Sequence, residues 1–399
     1  MNTSMIHPWR AVVGLSSLAV FAPLGAVSVA WAQPFTVEAA PEWTSLFDRR
    51  SGWTGADGIY SIPLDGNEMY RAQPSRRTAF VFSDTFIGEV DQNRHRLNGT
   101  TLVNNTMALL SGPAPDPSKI TFYWGRASQG APAALFIPHT QNSQPDEWYW
   151  LNDAAAINGK LEIFASRIRS TGGGGAFGFE GTGLALLSTP LNSPTPYQDF
   201  VQVDAPAYNK TPSGGRGETI FGCSIMNNTS AAGAPHPDGY VYIYGIQNDP
   251  FIKKLLVARV PPEQFEDFSA WRYWNGTQWN ADMDQSAVLT GRVSSECSVS
   301  PLPDGRYILV YQEDTLGPWV ACKIGDSPVG PFGPAIHLWY CDEVDTIPGA
   351  FVYNAKAHPH LSRPGELLIS YNVNAGDFWY HFENSDVYHP RFIRVKLTQ

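Results

Sequence analysis

Charge of either sign is scarce in this sequence. Asp, Glu, Lys and Arg make up 16% of its 399 residues, and 27 basic residues face 37 acidic ones for a net charge of −10. That balance argues against nucleic acid as a partner, since phosphate binding needs clustered Lys and Arg. Long apolar runs are missing after residue 32, so no later segment approaches the ~20 residues of a membrane helix. Sustained helical periodicity is missing too: Pro138, Pro145, Pro190, Pro206 and Pro250 interrupt most candidate segments. Cysteine is limited to four residues, none at a zinc-binding spacing. Phosphate loops, a Ser-His-Asp order and metalloprotease helices are absent, and the glycines at 172 to 175 lack the Lys and Ser/Thr of a phosphate cradle.

What is present points to an exported protein rich in turns. Arg10 precedes an almost wholly apolar or small stretch, and Ala30-Trp31-Ala32 fits a small-residue cleavage site. Residues 1–32 therefore read as a signal peptide, with 33–399 as one secreted or periplasmic domain free of the membrane after cleavage. The count of 36 Gly and 32 Pro suits a fold of many turns, and 13 Trp with 17 Tyr offer faces that stack on sugars, although most should pack in the core. In an exported chain four cysteines favour disulfides. Cys322 and Cys341 flank an expected hairpin and could pair across it, Cys223 and Cys297 sit at the same point of consecutive repeats, which makes a second pair conceivable, and three connectivities stay open.

The repeat is the strongest signal. After an opening expected to be helix-free, one pattern returns five times: a polar or Pro residue, usually a Gly, then a strand alternating aromatic and β-branched residues. The copies are Arg77 to Phe82, Asn158 to Phe164, Asp238 to Tyr244, Asp304 to Tyr311 and Pro364 to Tyr371, at intervals of 60 to 82 residues. Self-similarity on this scale in a chain of short strands predicts an all-β fold, a five-bladed β-propeller. Inner strands are expected just before each echo, at Trp53–Ile62, Trp148–Ala156, Thr219–Met226, Ser294–Ser300 and Tyr353–His360, where polar residues converge on one axis.

Ionisable residues are few on those inner strands, and Asp57, Asp153, Glu296 and His358 stand out, joined by Asp84 at the end of the next strand. Charges at crowded axial positions are costly unless paired or used. Two or three converging carboxyls are the apparatus of glycoside hydrolysis, one protonating the leaving oxygen while another activates water or attacks the anomeric carbon. Each has a plainer alternative. Asp57 beside Gly58 could be only a turn, Asp84 could tie a loop through Thr85, Asp153 could bond a neighbouring blade, and His358 could be a satisfied core histidine. Asn152, Trp150, Asn105 and Arg216 complete the candidate sugar-binding set with Asp153 and His358, and Asn104 and Glu218 are weaker members.

The segments Gly52 to Gly58, Val81 to Phe86, Ser295 to Ser298 and Ala355 to Pro359 resemble those of exported five-bladed propeller glycoside hydrolases. The nearest are endo-D-arabinanase-type families, and more distantly the arabinanase and xylosidase clan. The resemblance implies Asp57 as base, Asp84 or Asp153 as helper and Glu296 as acid, with furanosides such as arabinan as the leading substrate. It implies that no cofactor is required, and that a structural calcium ion could occupy the axis. Two departures stand out: Gly58 replaces the clan's Pro after the first catalytic Asp, and Asn152-Asp153 faintly matches fructan-cleaving enzymes, in which that motif belongs to the first blade. The expected function is hydrolysis of a plant or microbial polysaccharide. The alternative readings are a non-catalytic carbohydrate-binding propeller and a structural envelope protein.

Overall fold

The computed structural model describes residues 35–173, 178–193, 199–249 and 252–397. The expected signal peptide, residues 1–32, lies outside them. Strands dominate, and among the described residues no helix is long and apolar enough to cross a membrane.

Five antiparallel sheets carry the architecture. Sheet I runs Tyr60–Pro63, Arg77–Phe82, Thr106–Ser111, Ile120–Tyr123, and sheet II runs Trp148–Ile157, Lys160–Ser170, Phe179–Pro190, Val201–Asp204. Sheet III is built on Glu218–Asn228, Tyr240–Asp249, Ile252–Val260 and Arg272–Trp274, with two-residue strands at its margins. Sheet IV runs Cys297–Pro301, Tyr307–Gln312, Trp319–Gly325, Ile336–Tyr340. Sheet V takes Ala350–Ala357, Glu366–Ala375 and Pro390–Leu397, then adds Phe35–Ala39 from the other end of the chain.

All five echoes are second strands, and their alternation has a physical cause. In sheet I, Phe80 and Phe82 join a core shared with sheet V, while Ala79 and Val81 join a core shared with sheet II. In sheet III, Val241 and Ile243 face sheet II while Tyr242 and Tyr244 face sheet IV, and Ile308 and Leu309 divide the same way in sheet IV. Both faces of each second strand are buried, so alternate residues of one strand belong to different cores. Five such cores separate consecutive sheets, and the fifth returns to the first. First strands touch in the same order: Tyr60–Pro63 against Trp148–Ile157, then Glu218–Asn228, Cys297–Pro301 and Ala350–Ala357.

Three expectations need correction. The segment Trp53–Ile62 is not one inner strand. Ser51–Ala56 pairs instead with Thr85–Glu89 in a separate three-stranded sheet, and only Tyr60–Pro63 enters sheet I. The opening holds a short helix, Pro41–Leu46, because Pro41 suits the first helical turn and Trp43 and Leu46 give it a buried side. The cysteines are four buried free thiols. Hairpin register sets Cys322 opposite Ile336 and leaves Cys341 beyond the Trp319–Tyr340 pair, so the two sulfurs lie at opposite ends of the pairing, out of bridging reach. Cys223 and Cys297 do meet, with sulfurs 3.8 Å apart, because the first strands of sheets III and IV touch.

Candidate active site

The strand that ends at Ala56 and the one that begins at Tyr60 belong to different sheets, so the chain must turn between them, and Asp57 sits on that turn. Gly58 makes it possible with φ +83, and a side chain there would press on the Ser83 amide at 2.9 Å. Two backbone bonds zip this turn to the next loop: Asp57 N donates to Asp84 O at 3.3 Å and Ser83 N to Asp57 O at 3.0 Å. Asp57 and Asp84 are thereby set side by side.

Their carboxyls have unlike surroundings. Asp57 Oδ2 accepts from the Tyr353 hydroxyl at 2.8 Å and the Tyr388 hydroxyl at 3.1 Å, while the buried Oδ1 meets no donor among the described residues. Asp84 Oδ1 accepts from the Trp150 indole at 2.9 Å and the Asn104 amide at 3.2 Å. Burial pushes Asp57 up to about 6 against the pull of the two hydroxyls and Lys356. Burial, then the charge of Asp57, pushes Asp84 up to about 7.

Glu296 stands just before the first strand of sheet IV, and its side chain is 15% exposed. Its Oε2 pairs with the ammonium of Lys356, which is 1% exposed and stands on the first strand of sheet V between Ala355 and Ala357. The same ammonium donates to Gly58 O at 2.8 Å and lies 4.2 Å from the centre of the Tyr60 ring. One cation thus joins the carboxylate of Glu296 to the peptide that follows Asp57. Burial pushes Glu296 up to about 7, with Lys356 pulling the other way and the Asp57 charge adding to the rise.

Asp153 is held by backbone amides, Ala154 N at 2.8 Å and Ile225 N at 2.6 Å, and burial pushes it up to about 7. It faces a cavity of about 640 Å³, open solvent included, lined also by Glu68, Ser224, Ser298, Lys356 and His358. Burial and the charge of Asp153 drive Glu68 up to about 8.

The remaining candidates divide sharply. Trp150 lies in the cluster through Asp84. Asn152 donates to Ser166 at 2.8 Å on its own sheet. Asn105 is fully buried, bonded to Phe136 and Tyr149 backbone at 2.7 to 3.1 Å. Arg216 spends its guanidinium on Gln247 and on the carbonyls of Asp284 and Ser286, while Glu218 binds Tyr208 and Asn248. His358 has Ser61 Oγ 2.6 Å from Nδ1 and Ser370 Oγ 2.8 Å from Nε2, and burial with the Lys356 charge pushes it down to about 3.

The residues do not fit the axial calcium ion that the resemblance implied. Both nitrogens of His358 are engaged, and Lys356 brings a positive charge to the wall of the cavity. No group of three His, Cys, Asp or Glu side chains that could hold a metal occurs among the described residues.

Sequence reading passed over Lys356, Tyr353, Tyr388 and Glu68. Lys356 had a visible signal, a lysine between alanines on an expected inner strand. Tyr353 opened the same expected strand and Tyr388 had no signal, and neither could be tied to Asp57, which they reach from parts of the chain about 300 residues away.

A family described as "Domain of unknown function (DUF5005)" matches residues 41–397. No curated protein matches the chain. Among solved structures, a Bacteroides ovatus protein provisionally assigned as a hydrolase is 22% identical, with TM-score 0.68 and 90% of each chain covered. An α-L-arabinofuranosidase from Clostridium thermocellum is 11% identical, with TM-score 0.44 over 79% of this chain and 82% of that one. An endo-arabinase from Bacteroides thetaiotaomicron is 13% identical, with TM-score 0.41 over 83% and 95%. The likeness to the Bacteroides ovatus protein is one of fold.

Proposed function

We infer that this chain, which belongs to the family described as a domain of unknown function (DUF5005), is a secreted or periplasmic five-bladed β-propeller that hydrolyses glycosidic bonds. The blade count rests on five sheets with five intervening cores. The chemistry rests on one observation: Asp57, with one oxygen held by two tyrosines and the other unpaired, lies within electrostatic reach of a buried Glu296. Asp57 acts as base or nucleophile through Oδ1, Glu296 as acid, and Asp84 assists from beside Asp57, held in place by the Trp150 indole and the Asn104 amide. The substrate class is a plant or microbial polysaccharide, furanosides such as arabinan first.

Activity needs Asp57 ionised and Glu296 protonated. Loss of the Asp57 charge below about 6 and of the Glu296 proton above about 7 should give a bell-shaped kcat/KM profile with its maximum between those limits. A flat profile from pH 5 to 8 would remove one of the two from the mechanism.

Exposed aromatic side chains stand near this pair. Trp379 is 68% exposed and packs on Phe378; Phe378 touches Phe86, and Phe86 touches Tyr388, which bonds Asp57. A sugar ring stacked on Trp379 would gain on the order of 1 kcal/mol. Trp379→Ala should therefore raise KM for long oligosaccharides roughly fivefold with little change in kcat, and an unchanged KM across chain lengths would remove Trp379 from the binding surface.

The direct test is reducing-sugar release from arabinan, xylan, galactan and microbial arabinan. Release supports a hydrolase and names the substrate class. Binding without release would instead make the protein a non-catalytic carbohydrate-binding propeller.

A further inference from the structure

A buried lysine is an unusual neighbour for an acid that must keep its proton. The ammonium of Lys356 sits among Glu296, Gly58 O and the Tyr60 ring, and the side chain is all but closed to solvent. Desolvating a lysine costs several kcal/mol unless its charge is paired and its N–H groups are satisfied. Two donors are used on Glu296 and Gly58, and the ring face receives the charge. An apolar residue of the same length would pack at far lower cost, so packing does not account for this lysine.

We propose that Lys356 is a positioning residue for the acid, its ammonium fixing Oε2 of Glu296 and tying it to the Asp57 turn. The proposal rests on the hydrolase reading for the role of Glu296, while the contact itself does not. With Oε2 held by a permanent donor, the transferable proton of Glu296 belongs on Oε1. Because the same ammonium holds the carbonyl that follows Asp57, acid and base are linked through one side chain at a set separation. The lysine supplies the axis with the positive charge that a metal ion would otherwise bring.

The other groups facing Glu296 bear on any titration. They are Asp57 and Tyr60 from the Asp57 turn and sheet I, Asp153 from sheet II, Cys223 from sheet III and Tyr353 from sheet V. Among these and Lys356, the lysine alone carries positive charge. Removing it therefore leaves burial and the negative charge of Asp57, which favour the protonated acid, against the Tyr60 hydroxyl alone.

Two measurements test this. In the wild-type protein, carboxyl carbon NMR of Glu296 and nitrogen NMR of Lys356 Nζ are followed from pH 4 to 9. The lysine resonance should shift with the midpoint of the glutamate, and independent behaviour would overturn the proposal. In Lys356→Met, with folding checked by circular dichroism and thermal unfolding, the basic limb of the kcat/KM profile should move up by at least one pH unit. At the wild-type optimum kcat should fall at least tenfold while KM changes little. A folded variant with an unmoved basic limb would overturn it. If Lys356→Met does not fold, the wild-type NMR decides alone. The NMR arm uses no substrate, so a coupled pair in a protein that releases no sugar would sink the hydrolase reading and leave the Lys356–Glu296 link standing.

Discussion

Glu296→Gln should lower kcat on natural polysaccharide by about 10³-fold, within the range expected for removal of a general acid. Glutamine keeps the shape of the side chain and can still accept from Lys356, so the sheets should remain assembled. It has no proton to give to a leaving sugar oxygen. The loss should shrink steeply on aryl glycosides whose leaving group departs without protonation, and that dependence separates an acid from a residue that merely shapes the site. Stability should change little: Lys356 loses its charged partner while it stays buried, but burial already pushes Glu296 up to about 7, so its anion is itself disfavoured in the fold. The Gly58 carbonyl and the Tyr60 ring still hold the ammonium in the variant. Initial rates on arabinan and on a series of aryl glycosides, alongside thermal unfolding, read all three effects. Full activity on polysaccharide would take Glu296 out of the mechanism.

Asp57→Asn should be as damaging to turnover, about 10³-fold, without a loss of stability. The amide cannot take a proton from water or attack carbon, and no change of leaving group supplies that capacity. Yet the site is an expensive place for an anion: burial pushes Asp57 up to about 6, and Asp84 beside it reaches about 7. The sign follows from those shifts. A carboxyl whose folded value is raised stabilises the fold most below its unfolded value near 4, and that contribution is lost as pH rises through 6 to 7. Asparagine carries no charge, and its carbonyl can still accept from Tyr353 and Tyr388. At pH 8 the variant should unfold at or above the wild-type temperature, while at pH 4 the two should converge. A variant that is inactive and also much less stable at pH 8 would mean that Asp57 is a structural anchor instead.

Much of the fold could be read because of where its second strands lie. Phe80, Tyr242 and Leu309 each face a different core from the residues beside them on their own strands, and such two-sided burial leaves an alternation of aromatic and branched side chains. Elements fixed by distant partners left no comparable trace. Phe35–Ala39 is a strand because Pro390–Leu397 pairs with it, and nothing within five residues could announce that. The break at Asp57 was hidden because Ser51–Ala56 and Tyr60–Pro63 both read as strand, and only their different partners separate them. Asp57, Asp84, Asp153 and Glu296 could be picked out because carboxyls are rare on strands of small residues. Of their hydrogen-bond partners, Asn104 stood out only as a weaker sugar-binding candidate and Tyr353 and Tyr388 not at all, because tyrosine and asparagine are unremarkable wherever they occur. Lys356 stood in plain view among alanines, with a meaning that depended on Glu296 being within reach.

The way sheet V is completed has a consequence for how the protein comes into being. Val37 pairs with Val395, and Phe35 with Leu397, so the last sheet needs both the earliest and the latest described residues. A chain emerging from the ribosome in order can assemble sheets I to IV as it appears, but Phe35–Ala39 must wait for its partner until almost all of the chain has been made. Until then the first-made strand is an unprotected edge, open to pairing with another chain. Folding completed by so distant a contact is slow. The useful outcome is that an incomplete product has no closed fifth sheet, and with it no settled place for Lys356 beside Glu296.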